Sequence, residues 1–169
     1  DLDGVGTLHY QWQRNSGSGF TNVGSDQATY TLGDADVGAT MRVVVSYTDG
    51  HGTLETVTSN ATAVVTNVND PPSGAVTVSG TAAQNQVLTA SNTLADADWL
   101  GTISYQWQRD GTNITGATGT SYTLLEADVG HAIRVVASYT DGHGTAESVA
   151  SSATASVANV NDVPTGTVT

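Results

Sequence analysis

The sequence predicts an all-β protein made of tandem antiparallel β-sandwiches without disulfides, and three observations carry that prediction. Apolar residues alternate with polar ones: in the stretch 102–109, Ile103, Tyr105 and Trp107 are separated by Ser104, Gln106 and Gln108. Gly and Thr are abundant between these runs, a mixture that suits short strands joined by turns, and no segment carries a helical stripe. The chain also repeats itself. "GTLHYQWQR" (6–14) returns as "GTISYQWQR" (101–109), and "YTLGDADVGATMRVVVSYTDGHGT" (30–53) returns as "YTLLEADVGHAIRVVASYTDGHGT" (122–145).

The first copy opens on the Trp12 strand. The loop that follows, "NSGSGFTNVGSDQA", is replaced in the second copy by the shorter "DGTNITGATGTS". Length changes confined to one stretch mark a surface connection. After the loop comes the Asp-Val-Gly corner (36–38 and 128–130). Then a strand alternates Ile133, Val135 and Ala137 with Arg134, Val136 and Ser138. "TDGHGT" reads as a tight hairpin turn and "TAESVASSATASVANV" as Thr/Ser/Val-rich strand. The second copy is preceded by "PPSGAVTVSGTAAQNQVLTASNTLADAD" (71–98), to which the first copy has no counterpart. The expected organisation is a first repeat lacking its opening strands (1–70), a complete repeat (71–162), and the start of another (163–169), where "VPTGTVT" resembles "PPSGAVTV". The acidic motif "NVNDPP" (67–72), repeated as "NVNDVP" (159–164), then falls at each repeat boundary. About seven short strands in some ninety residues make a sandwich.

Composition narrows the function. The chain has 169 residues, no Cys, sixteen acidic side chains against four Arg (14, 42, 109, 134), and a net charge of −12. Such a surface repels nucleic acid and anionic membranes and attracts divalent cations. No apolar run is long enough to span a bilayer. The chain does not begin with Met and shows no signal peptide, so it reads as an excerpt of something longer. No Ser/His/Asp constellation or Gly-x-Ser-x-Gly elbow is present, and the strict duplication argues against an enzyme. His51 and His143 in "DGHG" read as turn residues, because zinc wants clustered His or Cys. "NAT" (60–62) and "NIT" (113–115) match the glycosylation pattern, which is short and frequent.

"YQWQR" resembles the third strand of an immunoglobulin-like domain, with Trp12 and Trp107 as its buried Trp. "EADVGHAIRVVASY" resembles the corner and following strand of such domains, with Val135 and Ala90 standing near the usual cysteine positions. The whole repeat is similar to the tandem Ig-like units of very large bacterial surface adhesins and RTX-type secreted proteins, although the RTX nonapeptide is absent. "NVNDPP" resembles the linker of cadherin-like repeats. The resemblance implies loops that share an end of the sandwich. Asp96, Asp98 and Asp141 would lie at the entry end beside Asn67, Asn69 and Asp70, with Asp34 and Asp36 of the preceding repeat's exit-end loop offered to the same junction. It implies a Ca²⁺ ion there, which would neutralise the carboxylates and stiffen two repeats into a rod.

Each residue also has a plainer reading. Asp36 and Asp128 fix the corner, Asp141 forms the hairpin turn, and Asp70, Asp96 and Asp98 are turn formers. Trp99, whose counterpart is Gly4, is expected to stack on a sugar, cap the junction, or pack against the neighbouring domain or linker. The expectation is a non-catalytic spacer or assembly segment of a secreted or cell-surface bacterial protein. Its partners are neighbouring repeats and possible further copies, with no nucleic acid and no membrane insertion. The alternatives are a module that binds a host or surface glycan or protein, and a filament subunit sharing strands between chains.

Overall fold

The computed structural model describes residues 1–166, and the chain divides into two compact units, Asp1–Val68 and Asn69–Thr169. Residues 167–169, which belong to the expected start of a further repeat, lie outside the described residues. The fold is all-β.

The first unit is one antiparallel sheet of β1 (His9–Asn15), β2 (Phe20–Val23), β3 (Thr40–Thr48) and β4 (Leu54–Thr58), in the order β2-β1-β3-β4. The period-two pattern sets the register: Trp12 faces Val43 on one side and Val23 on the other, and Tyr10 faces Val45. These side chains therefore share a face.

The second unit repeats this sheet and adds another. β5 (Val76–Ser79) and β6 (Val87–Asn92) lead in. β7 (Ser104–Arg109), β8 (Thr112–Asn113), β9 (Ser121–Thr123), β10 (Ile133–Thr140) and β11 (Ala146–Ala150) follow. One sheet has the order β11-β10-β7-β8, matching the first unit, and the other has the order β5-β6-β9. The core sits between them. Trp107, Leu88, Leu124, Ile133, Val135 and Ala137 are fully buried, and Val76 and Ala90 nearly so. Burying side chains of this size contributes about 1.5–3 kcal/mol each. Trp107 lies opposite Val135, stacks on Tyr122 at 5.8 Å, and donates its indole N–H to the Gly119 carbonyl at 2.9 Å. Val135 and Ala90 are both core residues, so apolar packing occupies the positions where a disulfide was compared.

One expectation requires correction. Trp107 is fully buried, but Trp12 is only half-buried. The reason is visible in the topology: the described residues of the first unit contain no sheet equivalent to β5-β6-β9. Leu32 shows the same effect, being 50% exposed where its counterpart Leu124 is 0% exposed.

The Asp-Val-Gly corner forms a 3₁₀ turn in each copy, Asp34–Asp36 and Glu126–Asp128. Asp128 is fully buried. Its Oδ1 accepts from Arg109 Nε at 2.7 Å, and its Oδ2 accepts from the Tyr122 hydroxyl and the Leu125 amide, both at 2.8 Å. Burial and then the bond to Asp128 push the Tyr122 hydroxyl above its usual range, and the Asp128 bond raises Arg109. Asp36 is held likewise by Arg14, Tyr30 and the Gly33 amide.

Candidate cation site

The site begins with a backbone requirement. Gly101 lies so close to β10 that an added Cβ would sit 1.9 Å from the Thr140 carbonyl oxygen, and Gly6 repeats this at 2.2 Å from Thr48. This contact brings the segment before the Trp strand against the end of the neighbouring strand. The acidic residues of that segment thereby meet the hairpin turn that follows. The Gly142 amide donates to the Asp98 carbonyl at 2.8 Å, and the Gly50 amide to the Asp3 carbonyl at 2.9 Å.

Within the second unit the carboxylates are chained together. Asp96 Oδ1 accepts from the Asp98 amide at 2.9 Å, and its Oδ2 accepts from the Tyr139 hydroxyl at 2.5 Å. Burial, reinforced by that bond, holds the Tyr139 hydroxyl far above the usual tyrosine range. Asp98 Oδ2 accepts from the Asp70 amide at 2.8 Å. Asp141 Oδ1 accepts from the His143 and Thr145 amides, both at 2.8 Å, which closes the hairpin turn. Burial works to raise the Asp141 pKa, but the Thr145, His143 and Gly144 groups outweigh it and hold the carboxyl below its ordinary value. Asn69 donates from Nδ2 to Glu147 Oε1 at 2.8 Å. Two linker residues are thus bonded to the acidic loops of the unit they lead into.

Two oxygens of this arrangement are left over. Asp98 Oδ1 and Asp141 Oδ2 are buried side-chain atoms without a hydrogen-bond partner among the described residues. Asp98 is 0% exposed and Asp141 6%. The His143 imidazole lies near Asp98 Oδ1, with Nε2 at 3.9 Å, too far for a hydrogen bond. A buried carboxylate oxygen with no donor costs several kcal/mol of desolvation, so such atoms call for a partner, either an ion or an ordered water. The donor set fits a hard divalent cation: it is all oxygen, mostly carboxylate, and borne on two loops and a linker. Ca²⁺ tolerates irregular shells of six to eight such oxygens, whereas Mg²⁺ demands near-octahedral geometry.

The same construction appears in the first unit. Asp1 Oδ1 accepts from the Asp3 amide at 3.0 Å and its Oδ2 from the Tyr47 hydroxyl at 3.0 Å. Asp49 Oδ1 accepts from the His51 and Thr53 amides, both at 2.8 Å. The bond from the Thr53 amide, helped by smaller contributions from His51 and Gly52, holds the Asp49 carboxyl below its ordinary value against the opposing effect of burial. Asp1, Asp49 and Glu55 each bring a carboxylate oxygen within 4.8 Å of the others.

Of the residues singled out from the sequence, Asp70, Asp96, Asp98 and Asp141 are brought to one end of the second unit, and Asn69 joins them through Glu147. In its own unit Asp36 stands before β3, while Asp49 follows that strand, so a nine-residue strand separates them. Asp36 is 2% exposed, and both its oxygens already accept from Arg14, Tyr30 and Gly33. Its place is the corner.

Asp1, Asp3, Glu55 and Glu147 escaped the sequence reading. The signal was available: "DLDGVGT" (1–7) aligns with "DADWLGT" (96–102) at the offset of 95 set by the Trp strand, and the comparison had only to run five residues further upstream.

Trp99 is 66% exposed and has a positive φ of 69°. Its counterpart Gly4 has φ 88°, so the position demands the left-handed region and glycine meets it without strain. The indole lies 5.4 Å from the His143 ring and over Gly142, where a Cβ would come within 2.7 Å of it.

No protein-family model matches the chain, and no curated protein matches it either.

Proposed function

We propose that this chain is a structural tandem-repeat segment of a large bacterial extracellular or surface protein, acting as a spacer or assembly module whose repeats bind Ca²⁺ at their entry ends. The observation that carries the reading is the pair of buried, unpartnered carboxylate oxygens on Asp98 and Asp141. Support comes from the duplicate constellation of Asp1, Asp3 and Asp49, bonded in the same way. The Ig-like resemblance supplies the architecture, and the all-β fold with no cysteine agrees with it. A cation supplies positive charge to this end of the repeat. Asp98 and Asp141 would hold it, while Asp96 orients the Asp98 backbone and Tyr139 fixes Asp96.

Because Asp70 donates its amide to Asp98, and Asn69 its side chain to Glu147, ordering the acidic loops also orders the linker that enters them. That is how local ion binding becomes mechanical stiffness along an array. Extracellular sites of this kind have dissociation constants of roughly 10⁻⁴–10⁻³ M. Isothermal titration with Ca²⁺, together with small-angle scattering in EDTA and in millimolar Ca²⁺, tests the proposal. Saturable binding with a narrower distribution of sizes is the expected outcome, and no response to either would overturn it.

A second reading rests on Trp99. A bulky residue held at positive φ where the sister repeat uses glycine carries a strain cost of about 1–3 kcal/mol, and such strain accumulates at ligand sites. An indole two-thirds exposed beside an imidazole offers a flat face to a sugar ring. Glycan binding abolished in Trp99→Gly would support this reading, and an unchanged or absent glycan profile would remove it.

A further inference from the structure

All four histidines of the chain lie beside an aspartate, but in two different ways. His9 and His131 are closed onto their partners: Nδ1 of the imidazole stands 2.6 Å from Asp26 Oδ2 in one pair and 2.5 Å from Asp110 Oδ2 in the other. The histidines of the two "DGHG" turns are held apart. His51 Nδ1 stops 3.5 Å from Asp3 Oδ1, and His143 Nε2 stops 3.9 Å from Asp98 Oδ1. These two pairs are equivalent, since Asp3 aligns with Asp98 and His51 with His143. Such separations exceed ordinary hydrogen-bond length. They approach the edge between two donors on one small divalent ion. With metal–ligand arms of about 2.0–2.2 Å, a tetrahedral angle puts the two atoms about 3.3–3.6 Å apart. The first-unit pair already falls in that range, and a small rotation of the imidazole brings the second-unit pair into it.

The second unit supplies the sharper case. Asp98 is fully buried, and the oxygen that faces the imidazole is the one without a hydrogen-bond partner among the described residues. The His143 side chain is itself only 24% exposed. Its surroundings hold it in place. The His143 amide donates to Asp141 Oδ1 at 2.8 Å, and the ring packs against the Trp99 indole at 5.4 Å. The preceding Gly142 amide donates to the Asp98 carbonyl at 2.8 Å and to the Trp99 carbonyl at 3.1 Å. The turn that carries the ring is therefore tied to the backbone that carries the buried carboxylate.

We propose that His143 is a nitrogen ligand of the entry-end cation site, and that it lets Zn²⁺ compete there with Ca²⁺. The inference rests on the cation reading of Asp98 and adds a ligand to it. Calcium selects carboxylate and carbonyl oxygens, whereas zinc takes imidazole nitrogen together with carboxylate oxygen. Asp98 Oδ1 thus serves either ion, while His143 Nε2 serves zinc. These are the two protein donors that the geometry brings together, and solvent fills the remaining positions. The pairs at His9 and His131 are poorer sites, because zinc would first have to part each imidazole from its hydrogen-bonded carboxylate. One histidine per repeat looks like a turn residue in the sequence, since its partner donor is a carboxylate on a distant loop.

The test titrates the whole chain with ZnCl₂ and with CaCl₂, following heat and the imidazole signals of histidine-labelled protein by NMR. A His51→Gln background leaves one such pair to read. The expected result is a zinc dissociation constant at least tenfold below that for calcium, with the His143 ring signals saturating in step with the heat. Adding His143→Gln keeps the backbone amide that closes the turn. It should weaken zinc at least tenfold while calcium affinity stays within twofold, and circular dichroism checks that the variant is folded. Asp98→Asn should weaken both ions. Zinc affinity unchanged by His143→Gln overturns the inference, as does a zinc response confined to His9 and His131. Saturable calcium binding alongside either result leaves the calcium reading standing, whereas indifference to both ions overturns the two together.

Discussion

Replacing Asp98 with Asn isolates the cation site from the fold. The substitution keeps the size of the side chain and an oxygen able to accept the Asp70 amide, which lies 2.8 Å from Oδ2. It removes the buried negative charge whose other oxygen has no donor. With a dissociation constant near 0.5 mM, 5 mM Ca²⁺ stabilises the wild-type unit by about 1.4 kcal/mol through mass action. For a unit of about 100 residues this raises the melting temperature by roughly 6–11 °C. The variant should lose most of that increment. Its melting temperature in EDTA should equal or exceed that of the wild type, because a costly buried charge is gone. Circular-dichroism melts of both proteins in EDTA, Ca²⁺ and Mg²⁺ provide the assay, with Asp110→Asn, which removes an exposed carboxylate, as control. A full Ca²⁺ increment in Asp98→Asn would refute the reasoning. So would a wild-type protein indifferent to Ca²⁺, or a control that loses as much.

Other predictions test the surrounding structure. Asp128→Ala leaves Arg109 and Tyr122 facing a vacated buried site and should destabilise the second unit by about 3–5 kcal/mol in urea unfolding. Gly101→Ala forces a Cβ onto the Thr140 carbonyl and should cost about 1–3 kcal/mol, with a parallel effect from Gly6→Ala in the first unit. The carboxyls of Asp49, Asp110 and Asp141 are held below their ordinary value in the folded chain. Their contribution to stability is therefore complete above the unfolded value of about 3.9 and is lost as pH falls through the lower folded values. Unfolding free energy should fall on acidification below about pH 4, and Asp141→Asn should flatten that slope.

The all-β architecture was legible because strand pattern and turn chemistry agree along the chain. Trp107, Ile133 and Val135 alternate in sequence and are buried in the structure. The contacts divide the chain after Val68. Half-burial of Trp12 was harder to read, since a local pattern does not reveal whether a second sheet exists to cover it. The two acidic triplets were hard to tell apart for a related reason. "DAD" at 34–36 and "DAD" at 96–98 are identical strings, yet one is locked by Arg14 and Tyr30 while the other has an oxygen to spare. The partners that decide this come from strands distant in sequence. Tyr139 reaches Asp96 across 43 residues, and no spacing rule exposes such a contact.

Carboxyl-carbon NMR of the aspartate-labelled chain, titrated with Ca²⁺, tests the central claim most directly. The account predicts saturable millimolar shifts at Asp96, Asp98 and Asp141, with their counterparts Asp1, Asp3 and Asp49 following, while Asp36 and Asp128 stay fixed at their Arg-bonded corners. Uniform, unsaturable drift across all the aspartates, or shifts at the corners in place of the loops, would contradict it.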